Sequence, residues 1–234
     1  HGPALKILII DPATDWSIKD VYDGWCAGLR AAGVDLVEYE FGTRLSFYRH
    51  AKIGDEGLPA EMQVGAAWEG LPTAILQHEP DLVLFVTGRY VEPELLDMIR
   101  PLARTAFLFT ESPYEDDVQV AMDSHVDLCL VNDPTNLGRF AEVCEAHYFH
   151  HSYNPAVHYP GNEVPKTDLV IVGTGYQSRT DFLENADWSG IDISLLGNWW
   201  RFQEPHPYRA WVKQDDVTEG IDNIETAGWY RSAR

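Results

Sequence analysis

The chain reads as an α/β protein with parallel sheets covered by helices, arranged as two units of which the second is incomplete. Three observations carry that reading. Short, almost continuously apolar runs, such as Leu5-Lys6-Ile7-Leu8-Ile9-Ile10 and Leu82-Val83-Leu84-Phe85-Val86, have the character of strands buried on both faces. Segments with helical spacing alternate with them, as a parallel sheet with crossover helices requires. After a stretch rich in proline, glycine and histidine, a second β-α-β opening begins at Asp168.

The elements follow in order. The first strand ends at Asp11-Pro12. Ile18, Val21, Trp25, Leu29 and Ala32 recur at helical spacing, with Ser17 and Asp20 as a capping-box start and Gly33 as a stop. Residues 34–39 give the next strand. Residues 42–62 contain Gly42, Gly54, Gly57 and Pro59 and read as an irregular excursion, a mobile loop. A helical pattern covers 61–78, with a break or a restart expected at Pro72. The strand at 82–86 closes on Thr87-Gly88, and Pro93 opens a short helix to Arg100. Strands are expected at 105–110 and 126–131, the latter ending on Asn132-Asp133-Pro134, with a short helix over 137–144. Right-handed crossovers place the useful loops at the carboxyl ends of the strands, where Asp11, Gly88, Glu111 and Asp133 stand.

From His147 to Pro160 the text reads as a linker, which divides the chain into 1–160 and 161–234. A strand at 169–172, a glycine turn, a helix at 179–185 and a strand at 191–196 follow. This second stretch has only two clear strands, and small cores are marginal. The expectation is a chain that is C-terminally short, or a second half that leans on the first. An unfinished sheet edge also predicts a labile second half or a homo-oligomer.

Composition narrows the function. Of 234 residues, 45% are apolar and 23% charged, which is a globular balance. Seventeen basic against 37 acidic residues give a net charge of −20, which disfavours a general hold on nucleic acid or anionic membrane. No apolar run approaches the roughly 18 to 20 residues of a membrane span, and no signal peptide is visible. Cys26, Cys129 and Cys144 lack metal-type spacing and point to reduced thiols in a cytoplasmic compartment.

Five constellations could carry chemistry. In Gly173-Thr174-Gly175-Tyr176-Gln177-Ser178-Arg179 a strand runs through a glycine turn into a helix start, so backbone N–H groups and Arg179 could hold a phosphate. The third glycine of the dinucleotide fingerprint is missing, and a tight turn with a surface arginine is the plainer alternative. In Thr110-Glu111-Ser112-Pro113-Tyr114-Glu115-Asp116-Asp117, Glu111 directly follows a strand and suits a general base. Asp117 and Glu115 fit better as acids decorating a helix start. Asp11-Pro12-Ala13-Thr14-Asp15-Trp16-Ser17 combines acids with an aromatic, a pairing that suits sugar hydroxyls and a sugar's apolar face; ordinary capping accounts for Ser17. His147, His150, His151 and His158 could bind zinc, but no cysteine or carboxylate spacing supports it, and a hinge with one histidine at a cleft fits better. Asn198-Trp199-Trp200 follows a strand and could line a cleft or cover a core edge.

Together, Lys6 to Pro12, Phe109 to Asp116, His147 to Pro160, Asp168 to Arg179 and Leu195 to Trp199 resemble, in this order, a GT-B glycosyltransferase of the CgeB-like, spore-maturation-type family of bacteria and phages. The resemblance implies two Rossmann-like domains, the acceptor on the first and a nucleotide-sugar on the second, with no metal and no cofactor beyond that co-substrate. It places Gly173, Thr174, Gly175, Tyr176, Arg179, Asn198 and Trp199 at the donor, Trp16, Ser112, Tyr114 and Asp116 on the acceptor side, and Glu111 or Asp11 as the base. The family's ribose-holding acid, expected beyond Glu225 to Tyr230, has no counterpart before Arg234. Phage members raise a modified base in DNA as acceptor, against which the charge weighs. Two other readings stay open: a nucleotide- or carbohydrate-binding protein without turnover, and a nucleotide-sugar epimerase-like enzyme.

Overall fold

A computed structural model of the chain describes residues 4–14, 17–53, 55–161, 163–214, 216–218 and 220–234, and the side chain of Ser17 is not among the described groups. The chain divides into two compact units, His1–Ser152 and Tyr153–Arg234.

The first unit runs β1 (Lys6–Ile10), α1 (Ser17–Ala31), β2 (Asp35–Tyr39), α2 (Phe41–Arg49), β3 (Lys52–Ile53), β4 (Glu56–Gly57), α3 (Ala60–Trp68), α4 (Leu71–His78), β5 (Leu82–Val86), α5 (Pro93–Ile99), β6 (Arg104–Leu108), α6 (Asp116–Asp123), β7 (Leu128–Val131), α7 (Leu137–Ala141) and β8 (Glu145–Tyr148). Six of these strands form one parallel sheet in the order β2-β1-β5-β6-β7-β8. The strand alternation of side chains explains the apolar runs. Ile7, Ile9, Leu84, Val86, Ala106 and Leu108 pack on Ile18, Tyr22 and Cys26 of α1. Leu8, Ile10, Val83, Phe85 and Phe107 face the other way, onto Phe41, Leu45, Leu71, Ile75, Leu96 and Phe140. Each such side chain contributes roughly 1.5–3 kcal/mol when fully buried, so both faces hold the sheet. This is a mixed α/β, Rossmann-like unit with helices on both faces of a parallel sheet.

Two details differ from the sequence reading, and one agrees with it. Residues 42–62 are not one loop: α2 fills most of the first half and a β3–β4 hairpin follows. Phe41 and Leu45, one helical turn apart, are almost fully buried, and Phe41 stacks 3.8 Å from Trp68. Tertiary burial thus decides a helix whose own pattern is weak. The 61–78 pattern restarts at Leu71, in keeping with the expectation at Pro72: Glu69-Gly70 separate α3 from α4, and Pro72 sits in the first turn of α4, where its missing N–H costs nothing. Finally, Glu145–Tyr148 is a sixth strand rather than the start of a linker. Its sequence carries no apolar run because it is an edge strand, held to β7 by backbone pairing.

The second unit has β9 (Leu169–Val172), α8 (Gln177–Asn185), β10 (Ile193–Leu196), 3-10 turns at Trp200–Phe202 and Arg209–Trp211, and α9 (Asn223–Arg231). β9 and β10 pair in parallel, and single bridges join Thr167 to Ala233 and Leu195 to Val212. Two strands alone make a thin core. Aromatic side chains thicken it: Trp199 and Phe202 are fully buried with Leu183, Ile193, Leu195, Val212 and Val217, and Trp188, Tyr208 and Trp211 pack against them. Tyr208 and Trp211 stack at 4.0 Å. Such rings bury large areas each and substitute for absent strands.

Candidate functional site

In the second unit the turns after β9 and β10 fit into each other. Gly173 has φ +145 and Gly197 has φ +96, both in the region that favours glycine. A Cβ on Gly197 would lie 2.6 Å from the Gly173 carbonyl oxygen, and one on Gly175 would lie 2.6 Å from the ring of Trp199. Gly173 N–H donates to the Leu196 carbonyl at 2.9 Å, and Gly175 N–H to the Asn198 carbonyl at 2.7 Å. The close approach of the two turns is therefore what the glycines supply.

This packing leaves donors open. Among the described residues, the N–H groups of Thr174, Gln177 and Ser178 have no acceptor, and α8 has no side-chain cap. Arg179 Nη1 donates to the Thr174 carbonyl at 3.0 Å, which fixes the guanidinium on the turn at the exposed surface. Free N–H groups, the positive end of a nine-residue helix and a guanidinium make a place for an anion. Two exposed rings stand beside it: Tyr176 meets Trp200 edge-on at 6.2 Å, and the Arg179 guanidinium lies 6.0 Å from the Tyr176 ring. The side-chain oxygen of Asn198 is buried without a partner. Trp199 differs from its expected role. It is a fully buried core residue whose indole N–H donates to the Leu196 carbonyl at 2.9 Å, so it supports the turn from below and presents no face to a ligand. Trp200 is the exposed member of the pair.

In the first unit the carboxyl ends of β1, β5 and β6 gather the expected residues. The strand order reverses between β1 and β5, where ligands of open α/β sheets bind. Ala13, Thr87 and Tyr90, none of them glycine, have φ of 55°, 68° and 61° there. Among the described residues, the buried hydroxyls of Thr14 and Thr87 have no partner. Left-handed backbone at ordinary residues costs roughly 1–3 kcal/mol each and concentrates at functional sites. Asp11 is half-buried, and both its oxygens are taken: one accepts from Ala13 N–H at 2.9 Å, the other from Gly42 N–H at 3.2 Å. A Cβ on Gly42 would meet that carboxylate at 2.7 Å. Asp11 thus anchors the start of α2. Trp16 lies outside the described residues.

The loop after β6 carries Glu111, Ser112, Tyr114 and Asp116. Asn132, at the end of β7, clamps it: its side-chain oxygen accepts from Ser112 N–H at 3.1 Å and its amide donates to the Ser112 carbonyl at 3.0 Å. Glu111 is half-buried, and its carboxylate has one side-chain partner among the described residues, the Thr110 hydroxyl at 3.4 Å. The Ser112 hydroxyl is buried and unpartnered. Tyr114 is 88% exposed, whereas Asp116 is 2% exposed, with Arg139 Nη1 at 3.8 Å. Tyr114, Asp116, Asp117 and Arg139 line a cavity of about 330 Å³; Glu111 is not part of that lining.

Sequence reasoning missed the Asn132 clamp and Arg139, since neither sits in a motif. It also missed a polar face inside α6, discussed below. The histidines are surface groups: His147 pairs with Glu145 at 3.0 Å, and His150 stacks on Phe149 at 6.1 Å. Among the described residues they join no cluster with three ligand atoms together. No helix of the described residues is long and apolar enough to cross a membrane. No family model matches the chain, and no curated protein matches it.

Proposed function

We propose that the chain is a nucleotide-sugar-dependent glycosyltransferase of the GT-B, CgeB-like kind, with the donor on the second unit and a hydroxyl acceptor on the first. The observation that carries the reading is the turn from Gly173 to Arg179, with three unpaired N–H groups, a fixed guanidinium and two exposed rings. A diphosphate suits the donors, and a base or sugar suits Tyr176 and Trp200. As the glycosidic bond breaks, charge builds on the diphosphate, and preorganised donors stabilise that charge. Glu111 takes the proton of the acceptor hydroxyl. Asp11 serves as scaffold in this scheme, because both its oxygens already hold backbone N–H groups. The strained backbone at Ala13, Thr87 and Tyr90 supports an acceptor near the ends of β1 and β5.

The test is incubation of the chain with a panel of nucleoside-diphosphate sugars, reading free nucleoside diphosphate and thermal midpoint together. Release with at least one donor, along with a raised midpoint, supports transfer. A raised midpoint with no release from any donor would make the chain a nucleotide-binding protein without turnover. No shift with any nucleoside diphosphate would remove the donor site itself.

A further inference from the structure

Helix α6 packs Val120 and Met122 against the core and also buries a row of polar side chains. Asp116, Gln119 and Asp123 recur at helical spacing and are all buried, while Val118 on the same helix is 68% exposed. The six side-chain polar atoms of these three residues have no hydrogen-bond partner. Asp116 has the Arg139 guanidinium near it. Asp123 has no exposed surface at all, and among the described residues no cation pairs with it. What surrounds it is sulfur: Cys129 Sγ from β7 and Cys144 Sγ just before β8 lie 3.3 Å apart, and both sulfurs and a carboxylate oxygen lie within 4.8 Å of one another.

We propose that Asp123, Cys129 and Cys144 form a binding site for a soft divalent cation, zinc in the first place, where the end of α6 meets the starts of β7 and β8. A buried carboxylate without a partner is costly, and a cation is one of the few groups that offset it. Two thiolates and one carboxylate are a zinc-type donor set. Ideal bonds of about 2.3 Å to sulfur and about 2.0–2.2 Å to oxygen put tetrahedral ligand atoms about 3.5–3.8 Å apart. The observed spacing needs movements of about an ångström or less to reach this. Binding displaces the two thiol protons, and the Asp123 proton where it is present, to solvent; that release is the main cost, since the contact with Cys144 and then burial push the Cys129 thiol up and burial pushes the Asp123 carboxyl up. Cys144 is half-buried, which gives the ion a way in and leaves a fourth position for water. The spacing rule overlooked the site because its ligands come from a helix end and two strands, not from a short motif.

The test uses the whole chain, kept reduced and stripped with a chelator, then titrated with cobalt(II) and in parallel with zinc. One equivalent of cobalt should bring up a sulfur-to-cobalt charge-transfer band, and zinc should displace it and raise the thermal midpoint. Cys144→Ser should weaken the band and the affinity, since only the Cys129 thiolate is left to give it. Because Cys129 is inside the sheet and its variant could misfold, Asp123→Asn and the half-buried Cys144→Ser are the informative pair. Cys26→Ser, on the opposite face of the sheet, should keep the band. Uptake without a sulfur band, as at the exposed histidines, overturns the proposal. So does a band of undiminished intensity in Cys144→Ser, or a reduced chain that binds neither metal.

Discussion

The loop after β6 and the turn after β9 both follow a parallel strand, yet they hold polar groups in opposite ways. The first buries side chains: Ser112 and Asp116 are inside, and Asn132 fixes the backbone from the next strand. The second buries almost none of its polar side chains. It exposes main-chain donors, and glycines create the room. A site built of side chains can place one carboxylate at a reacting hydroxyl. A site built of backbone N–H groups can only cradle an anion, but does so whatever the sugar attached to it. The proposed function uses this contrast, with the chemistry on the first unit and leaving-group binding on the second.

The largest expected effect lies in the first loop. Glu111→Gln should lower the transfer rate by about 100- to 10,000-fold with donor affinity unchanged, as loss of a general base does. Asp11→Asn should behave otherwise, costing roughly 1 kcal/mol of stability through the anchor to α2 with a much smaller effect on rate. Equal rate losses for the two would dissolve the distinction between base and scaffold. Steady-state kinetics with denaturant titration separates these outcomes.

Next comes the support beneath the second turn. Trp199→Ala should destabilise the second unit by about 3–5 kcal/mol. Trp200→Ala should change stability by about 0.5 kcal/mol or less and weaken nucleotide binding instead. The reverse pattern would show that the buried indole meets the ligand after all. Gly197→Ala should cost about 2 kcal/mol, because positive φ and a 2.6 Å approach to a carbonyl both oppose a Cβ. Hydrogen exchange in β9 and β10 reports it.

A smaller effect tests the inward face of α6. Burial pushes the Asp123 carboxyl up to about 7. An unfolded Asp titrates near 3.9, so between about pH 4 and 7 the folded chain keeps a proton that the unfolded chain loses. Stability therefore falls as pH rises through that window, and the penalty is complete above it. In the metal-free chain Asp123→Asn should stabilise by about 1 kcal/mol or more at pH 8 and by almost nothing at pH 4. A gain that is the same at both pH values would mean the carboxyl is not what strains the helix.

These two regions were unequally legible. Gly173 and Gly175 announced a turn because a strand pattern ran into them and a helix pattern followed. The central strands were visible as apolar runs for the same physical reason, burial on both faces. Asp116 and Asp123 were not readable as buried, since acids on a short helix ordinarily face water and nothing local says otherwise. β8 and α2 were hidden because backbone pairing and the Phe41–Trp68 stack hold them, both long-range effects. Trp199 and Trp200 are neighbours with opposite fates, which only packing decides.

In the proposed donor site Arg179 touches phosphate and nothing else of the nucleotide. Calorimetric titration of the chain and of Arg179→Ala with a nucleoside diphosphate and with the matching nucleoside tests this. The expected result is a loss of about tenfold or more for the diphosphate, the worth of a charged hydrogen bond, with nucleoside affinity unchanged. An equal loss for both ligands, or no loss for the diphosphate, would contradict the assignment of the Gly173–Arg179 turn to the leaving group.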